Sequence, residues 1–126
     1  GGRRSDPPVP GPWVVRALHG GVIPLTGPMS MGGEARLGPC ACLERDGVRV
    51  VVSTGKTQML DRELYRALGI EPERMALLVN KSSVHFRADF APIARAILIA
   101  KAAGPMPADP ADLPWTRLPE GLATQP

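Results

Sequence analysis

Pro39-Cys40-Ala41-Cys42-Leu43-Glu44, then Arg45-Asp46-Gly47, then Val48-Arg49-Val50-Val51-Val52-Ser53-Thr54 is the stretch on which the fold turns. Two β-prone runs flank an Asp-Gly step, the strongest short-range signal for a hairpin. In the second run only Arg49 interrupts the valines. A nearly continuous apolar strand is the pattern of one covered on both faces, so this run predicts a central strand of an α/β sheet.

Upstream, residues 13–18 read as a short strand. Gly20, Gly21, Gly27, Gly32 and Gly33, with Pro24 and Pro28, then make a turn-rich stretch that either carries function or awaits a partner surface. Downstream, Asp61 reads as a helix N-cap. Leu60, Leu64 and Leu68 mark one helical face, and Gly69 reads as its C-cap. Glu71-Pro72-Glu73 predicts a helical turn. Residues 75–79 predict a buried strand. Ser82 or Ser83 would cap a second helix through Phe90, broken near Pro92. Ile97, Leu98 and Ile99 predict a last strand. This order implies a mixed, mainly parallel α/β sheet, with one antiparallel hairpin strand and helices packed on it.

The 126 residues suit one domain. Proline gathers near the ends, which predicts an irregular lead over 1–12, a folded α/β domain over 13–103 and a Pro-rich tail over 104–126. The net charge of +3 comes from scattered Lys and Arg, with no basic stripe for nucleic acid. No apolar run approaches the about 20 residues that span a bilayer. The start, Gly1-Gly2-Arg3, lacks Met and predicts a piece of a longer protein. Cys40 and Cys42 read as two small buried residues on one strand face, a usage that suits a reducing, cytoplasmic setting.

Two polar segments stand out. Ser53-Thr54-Gly55-Lys56-Thr57 resembles the end of a phosphate-binding loop, but Val50 stands where the first Gly is required, so the cradle cannot form. Thr54, Lys56 and Gln58 are left as a ligand contact or a solvated turn. Asn80-Lys81-Ser82-Ser83-Val84-His85-Phe86-Arg87 opens the second predicted helix, where cations and backbone donors favour an anion. His19 and His85 are far apart and lack a carboxylate pattern around them, so the chain offers no recognisable metal site.

The sharpest resemblance is carried by Lys81-Ser82-Ser83-Val84-His85-Phe86-Arg87-Ala88-Asp89-Phe90-Ala91-Pro92-Ile93-Ala94. With Thr26-Gly27-Pro28-Met29, Leu37-Gly38-Pro39, the 47–53 run, Gln58, Asp61, Leu68-Gly69-Ile70-Glu71-Pro72 and Gly104-Pro105, it resembles the C-terminal domain of MlrC-like proteins over roughly residues 14–118. Gly55-Lys56-Thr57 departs from the family's Ser-Arg before the Gln, and the tail around Arg117 departs from its usual ending. The resemblance implies a zinc-dependent hydrolase of peptide or amide bonds, in which a metal-activated water attacks the carbonyl. It implies that the metal ligands lie in a larger N-terminal domain, which would be this chain's partner, and that this chain alone binds no zinc. Lys81, Ser82, His85, Arg87, Gln58 and Lys56 would then line a substrate-binding surface for a peptide-like substrate. His85 would move a proton or anchor the substrate. The competing readings are a non-catalytic binding or dimerisation domain of the same family, in which the chain pairs with a second copy, and an unrelated ligand-binding α/β domain.

Overall fold

The computed structural model describes residues 7–100 and 109–122. The expected domain boundary at 103–104 and the Gly104-Pro105 turn lie outside them. The chain divides into two compact units, Gly1–Arg95 and Ala96–Pro126.

In the first unit the hairpin forms as the sequence predicts. Strands β4 (Cys40–Arg45) and β5 (Val48–Ser53) pair antiparallel, with Arg45 opposite Val48. Asp46 and Gly47 take φ of 52° and 78°. Both lie in the left-handed region that a two-residue hairpin turn requires, which Asp tolerates and Gly adopts freely. The upstream strand is β1 (Val14–His19), and it pairs antiparallel with β4 to give the order β1-β4-β5. A second antiparallel ribbon joins β2 (Val22–Pro24) to β3 (Glu34–Arg36).

The mainly parallel α/β sheet expected from the sequence is therefore wrong: both sheets among the described residues are antiparallel. The helices are too short to serve as crossovers, since α1 (Glu63–Arg66) and α2 (Arg87–Phe90) are single turns. Residues 75–79 form no strand, and Leu77 and Val79 are exposed. Residues 97–100 form none either, and Leu98 and Ile99 are exposed. An apolar run becomes a strand only where a ladder partner exists, and these runs have none. Nor is Val48–Ser53 a central strand. It lies at the sheet edge, with Val48, Val50 and Val52 exposed.

The core gathers Ile23, Leu37, Cys40, Cys42, Leu64, Tyr65, Leu68, Ile70, Phe86 and Phe90. The Leu64–Leu68 and Phe86–Phe90 spacings are thus core faces, as the sequence predicts. After α1 the Gly69 N–H bonds Arg66 O and the Ile70 N–H bonds Tyr65 O, at 2.9 and 3.2 Å. This paired closure is the glycine-centred helix end expected there. The turn at Glu71-Pro72-Glu73 is a 3₁₀ helix, Pro72–Arg74, and Pro92 sits in another, Ala91–Ile93, directly after α2. Neither Ser82 nor Ser83 caps α2. Phe86 precedes it with no side-chain cap, and Ser82 Oγ is buried without a protein hydrogen-bond partner.

Among its described residues the second unit carries a 3₁₀ turn, Pro110–Asp112, opened by the Ala111 N–H bonding Asp109 Oδ1 at 2.9 Å. Among the described residues, no helix is long and apolar enough to cross a membrane.

Candidate functional site

The segment from Asn80 to Phe86 is irregular and leads into α2, so its position depends on anchors. Tyr65 Oη, from α1, donates to Val79 O at 3.2 Å or Asn80 Oδ1 at 2.9 Å. Ten residues on, the Asp89 carboxylate takes the Arg62 backbone N–H at 2.7 Å and the Arg62 guanidinium at 2.9–3.0 Å. The Phe90 ring meets Tyr65 edge-on, centroids 6.0 Å apart. Both ends of the segment are therefore fastened to α1 or to Arg62 just before it, and residues 81–85 arch between Asn80 and the buried Phe86.

On that arch His85 meets Gln58. His85 Nδ1 lies 2.6 Å from Gln58 Oε1, and both side chains are exposed. An amide oxygen only accepts, so Nδ1 is the donor. In the neutral ring Nε2 is then the acceptor, free to take a proton or a substrate N–H.

The other residues singled out by the sequence are distributed around this pair. Lys81 and Lys56 are exposed and have no ion-pair partner among the described residues. Arg87 is exposed and sets its guanidinium over the Phe86 ring at 5.5 Å. No hydrogen bond joins any of the three, or Ser82, to the Gln58–His85 pair. Both sheets among the described residues are antiparallel, so no parallel strand ends bring the 54–58 and 80–87 segments to one edge. The meeting of Gln58 and His85 comes instead from the Tyr65 and Asp89 anchors.

The long-range ties of Asp61 have no signal in the sequence. Asp61 Oδ2 accepts the Gly27 N–H and the Ser30 hydroxyl, each at 2.7 Å, and Oδ1 accepts the Glu63 N–H at 2.9 Å. The expected cap position falls to Arg62, which precedes α1 with no side-chain cap; Asp61, one residue earlier, accepts at the helix start and ties a loop 34 residues upstream. Burial raises its pKa, but the hydrogen bonds from Ser30, Glu63, Gly27 and Thr26 outweigh this and hold it below the ordinary value. Gly27 lies between the two buried carboxylates: a Cβ there would come 2.9 Å from Asp61 Oδ2 and 3.1 Å from Asp89 Cγ. Outward from Asp89, Arg62 and Arg66 share Glu73, at 2.7 and 2.5 Å. Arg66 also pairs with Glu63 at 2.7 Å.

Histidine, cysteine and carboxylate side chains do not converge into a metal centre: the described residues contain no group of three or more such donors. His19 is used locally, its Nδ1 accepting the Gly21 N–H at 2.9 Å. Cys40 and Cys42 are buried free thiols whose pKa values burial pushes up. The described residues do not fit a zinc site.

Comparison with known proteins bears on what this scaffold belongs to. Microcystinase C from Sphingomonas sp is 30% identical over 67 residues, which is 53% of this chain and 13% of that protein's length. No solved structure matches the chain. The family described as MlrC C-terminus matches residues 1–117, nearly the whole sequence, and the chain belongs to that family.

Proposed function

We propose that this chain is the substrate-binding, C-terminal part of an MlrC-like zinc-dependent hydrolase of peptide or amide bonds. Its zinc would be held by a separate, N-terminal domain, since the donors here do not fit the metal. The observation that carries the reading is the exposed Gln58–His85 hydrogen bond, set on an arch fastened at both ends. An exposed pair at 2.6 Å adds little to stability. Its consequence is to orient one imidazole nitrogen outward, beside a segment that also offers the Lys81 ammonium to a peptide carboxylate. The chain spans a small part of microcystinase C, so the reaction itself belongs to the larger protein.

The test is made on the complete polypeptide that carries this chain, assayed on short peptides. His85→Ala and Lys81→Ala should each lower kcat/KM by roughly tenfold or more, with urea midpoints close to the parent's. Near-normal turnover in both variants, or loss that tracks unfolding, would make the arch a packing feature.

A further inference from the structure

The β1–β4–β5 sheet has two unlike faces. Directly opposed residues of antiparallel strands point to the same side. One side carries Cys40 and Cys42, which are 4% and 1% exposed and belong to the core. The other side is read from the register: Leu18 opposes Ala41, which opposes Val52, and Val15 opposes Leu43, which opposes Val50. Val48 continues it, opposite Arg45, whose guanidinium covers the Trp13 ring at 4.6 Å. A bulge at Arg16 builds this face. Val15 and Leu18 are three apart and would fall on opposite sides of a regular strand. The extra residue puts both on the outer face and turns Arg16 toward Glu44.

The result is an apolar sheet face open to solvent. Leu18 is 76% exposed, Val48 60%, Val15 55%, Val52 43% and Val50 38%. The register, and not its size, sets this face apart: every exposed position on it but the Arg45 corner is aliphatic. Among the described residues its only charge is Arg45, at one corner, engaged with Trp13 and with Pro10 O at 2.6 Å.

Size decides what covers it. Three strands about 4.8 Å apart, each giving about 16 Å of length, present roughly 200 Å² in projection. A stable complex of separate proteins takes about 800 Å² from each partner. A second copy held by this face alone would be weakly bound. An occupant tethered in the same polypeptide has an effective concentration of about millimolar, and a small apolar face suffices. In microcystinase C the matched stretch is 13% of the chain, so such proteins contain ample polypeptide to supply the occupant.

We propose that the outer face of the β1–β4–β5 sheet seats another domain of the same polypeptide, one that presents an uncharged apolar surface. This rests on the reading that the chain works within a longer hydrolase. The test uses Leu18→Cys, with Val52→Cys as a second probe, in the 126-residue chain and in the complete polypeptide. Maleimide labelling is read at each introduced thiol by peptide mass spectrometry. Labelling should be fast in the 126-residue chain at all concentrations, and slowed about tenfold or more in the complete polypeptide. Equal rates in the two overturn the proposal. Slow labelling of the 126-residue chain that is relieved by dilution places a second copy on the face. If dilution does not relieve it, the chain's own 96–126 segment is the occupant. Either result overturns the proposal. Hydrolytic activity without protection overturns the docking alone; protection without hydrolytic activity overturns the proposed function and leaves the docking intact.

Discussion

Asp61 holds the backbone N–H of Gly27 at 2.7 Å, joining the loop between β2 and β3 to the start of α1. The same carboxylate takes Ser30 and Glu63 and is completely buried. Asp61→Ala would leave these donors unpaired. It should cost roughly 3 kcal/mol in urea unfolding, since buried hydrogen bonds to a charged acceptor are expensive to lose. Asp61→Asn keeps one accepting oxygen and should cost less. Equal and small losses in both variants would show that the loop is not held by this tie.

Gly27 gives a steric version of the same claim. Gly27→Ala drives a methyl against Asp61 Oδ2 and Asp89 Cγ. Neither carboxylate can yield without breaking its hydrogen bonds. The expected cost is about 1–3 kcal/mol, the range for overpacking a buried site. At Gly20 an added Cβ would meet nothing within 4 Å. Gly20→Ala should stay within about 0.5 kcal/mol of the parent, as surface changes do. Thermal unfolding of the two variants side by side checks the contrast.

Acid should unfold the chain through identified carboxylates. Hydrogen bonds from Arg16 and then Arg49, across all three strands, pull Glu44 from 4.5 down to about 2. A carboxylate whose folded pKa is depressed stabilises the fold above its unfolded value, and that contribution is lost as pH falls through the folded one. Stability should therefore be level above pH 4.5 as far as Glu44 is concerned and fall between 4.5 and about 2. Asp61, also held low, loses its contribution in the same direction. Urea midpoints measured across this window should fall less steeply in Glu44→Gln than in the parent.

What the sequence could disclose was what neighbours along the chain decide. Asp46-Gly47 dictates a tight turn by itself, and Gly69 and Pro72 likewise mark their turns. The mistaken sheet came from features that depend on distant partners. The apolar runs at 75–79 and 97–100 have the composition of strands but find no ladder. The valines of β5 imitate a central strand, yet Val48, Val50 and Val52 are exposed and Val51 is half-buried, a distinction composition alone cannot make. For the candidate site, Gln58 and His85 could each be noticed in its own polar segment. Their meeting depends on Tyr65 reaching Asn80 and Arg62 reaching Asp89. The Asp61–Gly27 tie crosses 34 residues, with no local pattern to announce it.

The Gln58–His85 bond makes a prediction about a single proton. With Gln58 Oε1 2.6 Å from Nδ1, the neutral His85 ring carries its hydrogen on Nδ1 and leaves Nε2 bare. Nitrogen-15 NMR distinguishes the two ring nitrogens by their long-range couplings to the ring carbon-bound protons. At a pH where the ring is neutral, His85 should show a protonated Nδ1 and an unprotonated Nε2. Gln58→Ala removes the acceptor, and the Nδ1–H preference should then be lost. The pair is exposed, so the substitution should move the urea midpoint little. Gln58→Glu keeps an acceptor oxygen and should preserve the Nδ1–H form. A parent chain with the hydrogen on Nε2, or a tautomer indifferent to residue 58, would mean that Gln58 does not set the outward nitrogen. In that case the arch would not present a proton acceptor to a substrate by this route.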